Sequence, residues 1–444
     1  MTFKLPRLPL PAALSRLQKS LLFLLITALL FSACRALLLA RYPAEFAQLG
    51  VGQTLAAFAN GLRFDGAVIA RLLLLPLLLM VLPLRWLDRR GWFDPLAWLV
   101  FLLTVGMVLL LVADVIYFEH VRRHLAYELL MMQNDTQFIV DMALQAHLGA
   151  LLLFVLFAGG LGWLWWKILA IPLQPSRLAP LKFIGLFLVL AIAGRGGVTG
   201  KVIEIIDAYG TGDSAYGHLS LNGVFTTMVF ALNIDEADHS FFPEEQAVAL
   251  LAEQRPVRDP RFPMVHGFAG NKPTGYNIVF VLLESWNFQH VDSFARQGYG
   301  ATPHFDALAA EGMRFTRFYA AGQRSIEGIQ ATLTGIPALK GLPRIDAGIG
   351  VSNISRIGAI AARHGYDSIF VQSSDRDSFK VGGIASATGF KSFYGMQDIP
   401  LRLDYADPQA AVFGWDYDTL MFLKGKLDGM EKPFIAYAFT GTTH

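Results

Sequence analysis

The sequence predicts a two-part chain: a bundle of membrane-spanning helices, then a water-exposed α/β domain built on a mostly parallel sheet. Three observations predict it. Of 444 residues, 54% are hydrophobic and only 16% are charged, where an ordinary soluble protein carries about 25% charged residues. Before residue 194 the apolar residues gather into long runs, and after Gly275 they break into short β-branched stretches divided by helix signals. The formal net charge is +2 and no dense Lys/Arg run is laced with aromatics, which argues against a nucleic-acid partner. The single cysteine, Cys34, sits inside an apolar run, so the chain forms no internal disulfide and no cysteine-based metal site.

A helix needs about 20 mostly apolar residues to cross the hydrocarbon core. Residues 20–39, 66–84, 95–118, 147–170 and 180–193 meet or approach that, the last being the shortest. The first run is long, lacks a small-x-small cleavage site and is followed by others, so it reads as a retained helix rather than a secretory signal. Orientation follows the basic residues near the span ends. Lys4, Arg7, Arg16 and Lys19, then Arg85, Arg89 and Arg90, then Arg177 and Lys182 fall on one side when the N-terminus is cytoplasmic, while Arg63, Arg122 and Arg123 run against the pattern. About five spans then deliver the second half outside the cell or into the periplasm, making this a multi-pass protein of the inner or plasma membrane. Arg35 and Arg71, beside apolar runs, are expected to snorkel to headgroups or to pair with Asp65. Trp163, Trp165 and Trp166 read as an interfacial aromatic belt.

Three segments result: a membrane domain over 1–194, an extracytoplasmic linker over 195–273, and an α/β domain over 274–444. Within the linker, Pro243 and Pro256 bracket a helix expected over 244–254. The linker is expected to lie along the outer membrane face and to carry no chemistry. Past Gly275, strands are expected at 276–283, 313–319, 366–372 and 433–440. Helices are expected after Thr302-Pro303, from Ser325 to near Gly335, over 353–363 and over 416–426. Such alternation implies a parallel sheet, whose ligands bind outside the carboxyl ends of its strands.

Two residues stand where that rule points. Glu284 directly follows the apolar run NIVFVLL, and a carboxylate at a strand's carboxyl edge suits a divalent cation as well as it suits solvent. Ser325 stands where the loop Gly322-Gln323-Arg324 becomes a helix. By position alone it reads equally as a helix cap or as a nucleophile at the positive end of a helix dipole.

The segments NIVFVLLESW, TPHFDALAAEGMRFTRFYAAG and QRSIEGIQATLTGIPAL, in that order, resemble the opening of lipoteichoic acid synthase and its phosphoglycerol-transferase relatives. These are sulfatase-like members of the alkaline-phosphatase superfamily, and about five spans before an extracytoplasmic domain is similar to their layout. The resemblance implies a membrane-anchored, metal-dependent transferase that moves a phosphoglycerol-type group through a phospho-Ser325 intermediate. The implied donor is a phosphatidylglycerol-like membrane lipid, and the implied acceptor a cell-envelope glycan or glycerophosphate polymer. Glu284 and Ser325 become metal ligands, with Mn²⁺ first and Mg²⁺ or Zn²⁺ as alternatives. Ser325 matches a nucleophile position that the family commonly fills with threonine. Arg324, then Asp375 and Arg376 in the stretch 372–379, and His444 in Thr440-Gly441-Thr442-Thr443-His444 become substrate-binding residues. Gly414-Trp415-Asp416 resembles an element that is structural or lines the substrate. The family completes its metal site with a later Asp-His pair, and none follows in these 444 residues. The domain is therefore expected to be truncated at its C-terminus, with an incomplete site. The alternatives are a hydrolase of the same fold, a phosphodiesterase or sulfatase, or a non-catalytic truncated membrane protein. Residues after Ser325 do not fit the pattern of a formylglycine sulfatase.

Overall fold

The structure, a computed structural model, describes residues 13–84, 90–126, 148–175, 179–198, 201–210, 213–233, 241–254, 259, 261–263, 274–339, 344–345, 354–408, 413–430 and 433–443. Its first half is helical: α1 (Arg16–Arg41), α2 (Val51–Val81), α3 (Arg90–Val121), α4 (Leu148–Ala170) and α5 (Ala179–Arg195). Among the described residues, α1 to α4 are long and apolar enough to cross a membrane, while α5 has 17 residues. The helices pack through aromatic side chains, with Phe23 stacked on Trp165 at 4.1 Å. Lys19 is buried, and its Nζ donates to the carbonyls of Leu169 (3.0 Å) and Ile171 (2.5 Å), orphan acceptors at the end of α4.

Two expectations change here. Trp165 is no belt residue: it is fully buried, and its indole donates to the carbonyl of Ala97, whereas Trp163 and Trp166 are exposed. The second helix begins at Val51, not near Gly66. At 31 residues it is about 46 Å long, well beyond a hydrocarbon core of about 30 Å. The extra turns carry polar residues, Gln53, Asn60 and Arg63, which hid them from a search for apolar runs.

That extension grips the linker. After α5 come a 3₁₀ turn (Ile205–Tyr209), α6 (Ser214–Ser220), α7 (Gly223–Asn233) and α8 (Glu244–Gln254), the last over the bounds expected. The segment does not merely lie on the membrane face: Tyr209, Leu219, Leu221 and Phe225 are buried, and the Ser220 hydroxyl donates to the carbonyl of Ala57 in α2. A buried polar network fastens it. Arg35 in α1 pairs with Asp65 in α2 at 2.6 Å, and the Asn222 amide donates to the same carboxylate oxygen at 2.9 Å. Gly61 makes this possible, because a Cβ there would lie 2.4 Å from the Arg35 guanidinium carbon. Arg71 instead donates to the carbonyl of Gly194 at 2.8 Å. Asp114 in α3 accepts from the backbone N–H groups of Leu125 (2.6 Å) and Gly223 (3.1 Å) and lies 2.7 Å from His124 Nδ1.

The second half contains β1 (Ile278–Leu282), α9 (Asp292–Ala295), α10 (Pro303–Glu311), α11 (Ser325–Thr334), α12 (Ile357–Arg363), β2 (Asp367–Gln372), α13 (Val381–Ala387), β3 (Ser392–Tyr394), α14 (Asp416–Leu427) and β4 (Phe434–Phe439). The four strands form one parallel sheet in the order β1-β4-β2-β3, with Val281 and Val371 both opposite Ala438. β4 is central, and all six of its residues are buried. β1 is an edge strand, and Ile278, Val279 and Val281 remain 39%, 49% and 43% exposed. The strand expected over 313–319 does not form: that stretch is irregular and exposed. Its β-branched and aromatic composition has no described neighbour to pair with, and pairing is what makes a strand. α12 starts at Ile357 rather than 353, and residues 351–353 lie outside the described set.

The two halves meet at α13, which packs on the 3₁₀ turn. Lys380, just before α13, reaches back with Nζ to the carbonyl of Val202 (2.7 Å), the carboxylate of Asp207 (2.6 Å) and that of Glu204 (3.3 Å).

Candidate active site

Glu284 leaves the sheet two residues after β1, and the chain then reverses sharply: Ser285 adopts a left-handed φ of 58°. Non-glycine residues held there cost about 1–3 kcal/mol and cluster where function demands a particular direction. The backbone around Glu284 is pinned from β4: its N–H donates to Thr440 Oγ1 at 3.0 Å, and the Thr443 hydroxyl donates to its carbonyl. Its side chain is half-buried and accepts from the Ser285 hydroxyl at 3.3 Å.

α11 brings Ser325 toward the same end of the sheet. Thr332 Oγ1 lies 2.8 Å from the hydroxyl of Tyr437, whose strand partner is Phe280 in the middle of β1. Burial pushes the Tyr437 phenol above its ordinary pKa, so it remains a neutral hydrogen-bonding group. One turn earlier in α11, Gly328 faces Leu282 at the end of β1, where an added Cβ would stand 4.0 Å from the Leu282 side chain. The helix therefore runs back along the sheet with its N-terminus toward the carboxyl ends of the strands. Ser325 stands three residues, about 4.5 Å, beyond Gly328. Glu284 follows β1 by two residues, in the turn at its carboxyl end. Ser325 thus lies toward the end of the sheet at which Glu284 leaves β1.

Ser325 is the first residue of α11, and Arg324 occupies the capping position without a side-chain cap bond. In place of a hydroxyl cap, Glu327 reaches back and accepts from the Arg324 N–H at 3.1 Å. The Ser325 hydroxyl is half-exposed and makes no hydrogen bond among the described residues, so nothing in its own helix consumes it. Gly322 protects this arrangement: a Cβ on it would lie 2.1 Å from Glu327 Oε2. Gly322→Ala is expected to evict Glu327 and to cost about 0.5–2 kcal/mol, as for loss of a helix cap. Thermal unfolding and the reactivity of Ser325 toward an organophosphorus probe measure the two effects.

The other predicted residues fall in different places. Arg324 is exposed beside Ser325. Asp375 accepts from the N–H of Asp377 at 2.8 Å and from the Gln397 amide, so its carboxylate organises its own loop. Arg376 pairs with Asp398 at 2.5 Å and lines a different cleft, on the far edge of the sheet. Partial burial would raise the Asp398 pKa, but donors from the Gly395 N–H and Arg376 outweigh it and hold the carboxyl below its ordinary range. His444 lies outside the described residues. Asp416 is a loop organiser, accepting from the N–H groups of Gly441 (2.7 Å) and Thr442 (3.1 Å). Sequence reasoning did not single out Thr440 and Thr443 as the anchors of Glu284, since their role depends on β4 lying beside β1. Nor did it find Trp286, His290 and His304, which line a pocket of about 500 Å³ next to Glu284 together with Ser285 and Thr443.

A divalent cation takes six to eight oxygen ligands when it is calcium-like and about six when it is magnesium-like. Glu284 and Ser325 supply two oxygens, and no group of three His, Cys, Asp or Glu side chains gathers among the described residues. These two residues alone do not make a cation site.

The second half is thus an α/β domain with a four-stranded parallel sheet, a carboxylate just past the end of β1 and an unbonded hydroxyl at the start of α11. Residues 276–444 match the sulfatase family model. A solved protein of the alkaline phosphatase superfamily from Vibrio parahaemolyticus is similar at 23% identity and a TM-score of 0.37, over 46% of this chain and 50% of that one. The chain thus spans about half the length of that relative. The architecture is four membrane-capable helices followed by a sulfatase-like α/β domain.

Proposed function

We propose that the protein is a membrane-anchored phosphoryl-group transferase that uses Ser325 as its nucleophile. The donor is a phosphatidylglycerol-like lipid, and the acceptor a hydroxyl of a cell-envelope glycan or glycerophosphate polymer. The observation that carries this reading is the Ser325 hydroxyl, uncommitted at the start of α11, whose N-terminus faces the carboxyl ends of the strands. In the first step Ser325 Oγ attacks the phosphorus of the lipid phosphodiester. The bond from phosphorus to the lipid alcohol breaks, and the serine proton leaves with that alcohol. In the second step the acceptor hydroxyl attacks the phosphoserine, its phosphorus–Oγ bond breaks and the serine regains a proton. Charge in transfer is stabilised by the backbone N–H groups and dipole at the start of α11, with Arg324 beside them. Glu284 and Ser325 would supply two of the oxygen ligands that a divalent cation, Mn²⁺ ahead of Mg²⁺ or Zn²⁺, requires.

The test uses phosphatidylglycerol labelled in its headgroup, incubated with the purified membrane protein with and without Mn²⁺. The label is expected on Ser325. Ser325→Ala is expected to lower labelling at least about 1,000-fold, while Ser325→Thr retains it. Label released only to water would identify a hydrolase instead. Wild-type protein that stays unlabelled under all conditions, with Ser325→Ala behaving identically, removes the enzymatic reading.

A further inference from the structure

A cavity of about 10 Å³ lies inside the helical half, between α1, α3 and the linker. Arg35, Asp114, His124 and Asn222 supply the nitrogen and oxygen side-chain groups of its wall, and the rest is apolar apart from the Cys34 thiol. Arg35 is only 4% exposed and gives Nη2 to Asp65, yet its Nη1 is buried and has no hydrogen-bond partner among the described residues. Buried polar groups are almost always paired, either within the protein or with ordered water. Asp65 Oδ2 is buried and unpaired as well, but Asp65 forms no part of the cavity wall. Asp114 meets the N–H groups of Leu125 and Gly223 and the His124 ring, which takes three of a carboxylate's roughly four lone-pair sites. The Asn222 amide gives one N–H to Asp65 and has a second to give.

Size and charge together select the occupant. A water needs about 10–15 Å³ and two to four polar partners, so the cavity admits one and no more. An anion there would face the Asp114 carboxylate. A metal cation would face the Arg35 guanidinium and find a single carboxylate where it needs about six oxygens. We infer that this cavity is the binding site of one water molecule, which accepts from Arg35 Nη1 and donates to Asp114. Through it the Arg35–Asp65 pair of α1 and α2 joins Asp114 and His124, and two buried pairs become one network. Asn222 and Gly223, neighbours in the linker, each bond one of the two carboxylates, while Leu221 and Asn222 close the cavity wall. The site is therefore complete only with the linker seated, and it does not rest on the transferase reading.

A crystal structure of the full chain at a resolution that shows ordered water tests this, with a second crystal soaked in sodium bromide. A peak is expected within about 3.2 Å of both Arg35 Nη1 and an Asp114 carboxylate oxygen, and no anomalous bromide signal is expected in the cavity. In the double variant Arg35→Leu with Asp65→Leu that peak is expected to be lost, while Asp114 keeps its bonds to the backbone of Leu125 and Gly223. An empty cavity in a wild-type map that shows other buried waters overturns the proposal. So does a bromide peak in the cavity, or a water that stays unmoved in the double variant. The first two of these outcomes need only the wild-type protein, so they decide the matter whether or not the variant folds.

Discussion

Arg35→Ala lowers the unfolding stability of the solubilised protein by about 3–5 kcal/mol, the cost of leaving one member of a buried ion pair alone. Both side chains are only 2% exposed, and the remaining partner, Asp65, keeps a single amide donor from Asn222. The expected readout is a lower midpoint in thermal or denaturant unfolding. Replacing both residues, Arg35→Leu with Asp65→Leu, is expected to recover most of the loss, because no uncompensated charge then stays inside. A double variant as unstable as Arg35→Ala would show that the pair acts through shape rather than charge.

The second large effect is a dependence on pH. His124 Nε2 lies 2.7 Å from the carbonyl of His218, which can only accept, while Nδ1 faces the Asp114 carboxylate. Burial disfavours a charged ring, but the Asp114 carboxylate and the His218 carbonyl outweigh it and raise the His124 pKa. Arg35, Arg123 and the His218 ring also face this group. His218 shifts oppositely, driven down by burial and then by the charge on His124. A raised folded pKa gives stability that is complete below the unfolded value of about 6.5 and disappears as pH climbs through the folded value. The unfolding midpoint is therefore expected to fall as pH rises above about 6.5. His124→Gln is expected to flatten that slope and to cost about 1.5–3 kcal/mol at pH 6, as for a hydrogen bond to a charged group. An unchanged slope in the variant would place the titration elsewhere.

Much of this molecule was legible in its sequence, and the limits have physical causes. Apolar runs exposed the membrane helices because a bilayer demands length and hydrophobicity together, yet the polar first turns of α2 escaped because they answer to the linker rather than to lipid. The strands at 278–282, 367–372 and 434–439 were readable as continuous apolar runs, although the first proves to be an exposed edge strand. The segment 313–319 carries the same signal and is no strand, because composition does not state whether a neighbour is present. That Glu284 would follow a strand and Ser325 open a helix was readable from local sequence, while the roles proposed for them came from the family resemblance. Thr440, Thr443 and the Asp114–His124 pair were not, since each works through a contact between segments far apart in the chain.

The linker's anchorage joins the two halves of the chain. Asn222 and Gly223 are bonded into the bundle, and Lys380 of the second half is bonded to the 3₁₀ turn. The contacts made by Lys380 thereby join the α/β domain directly to the segment that follows α5.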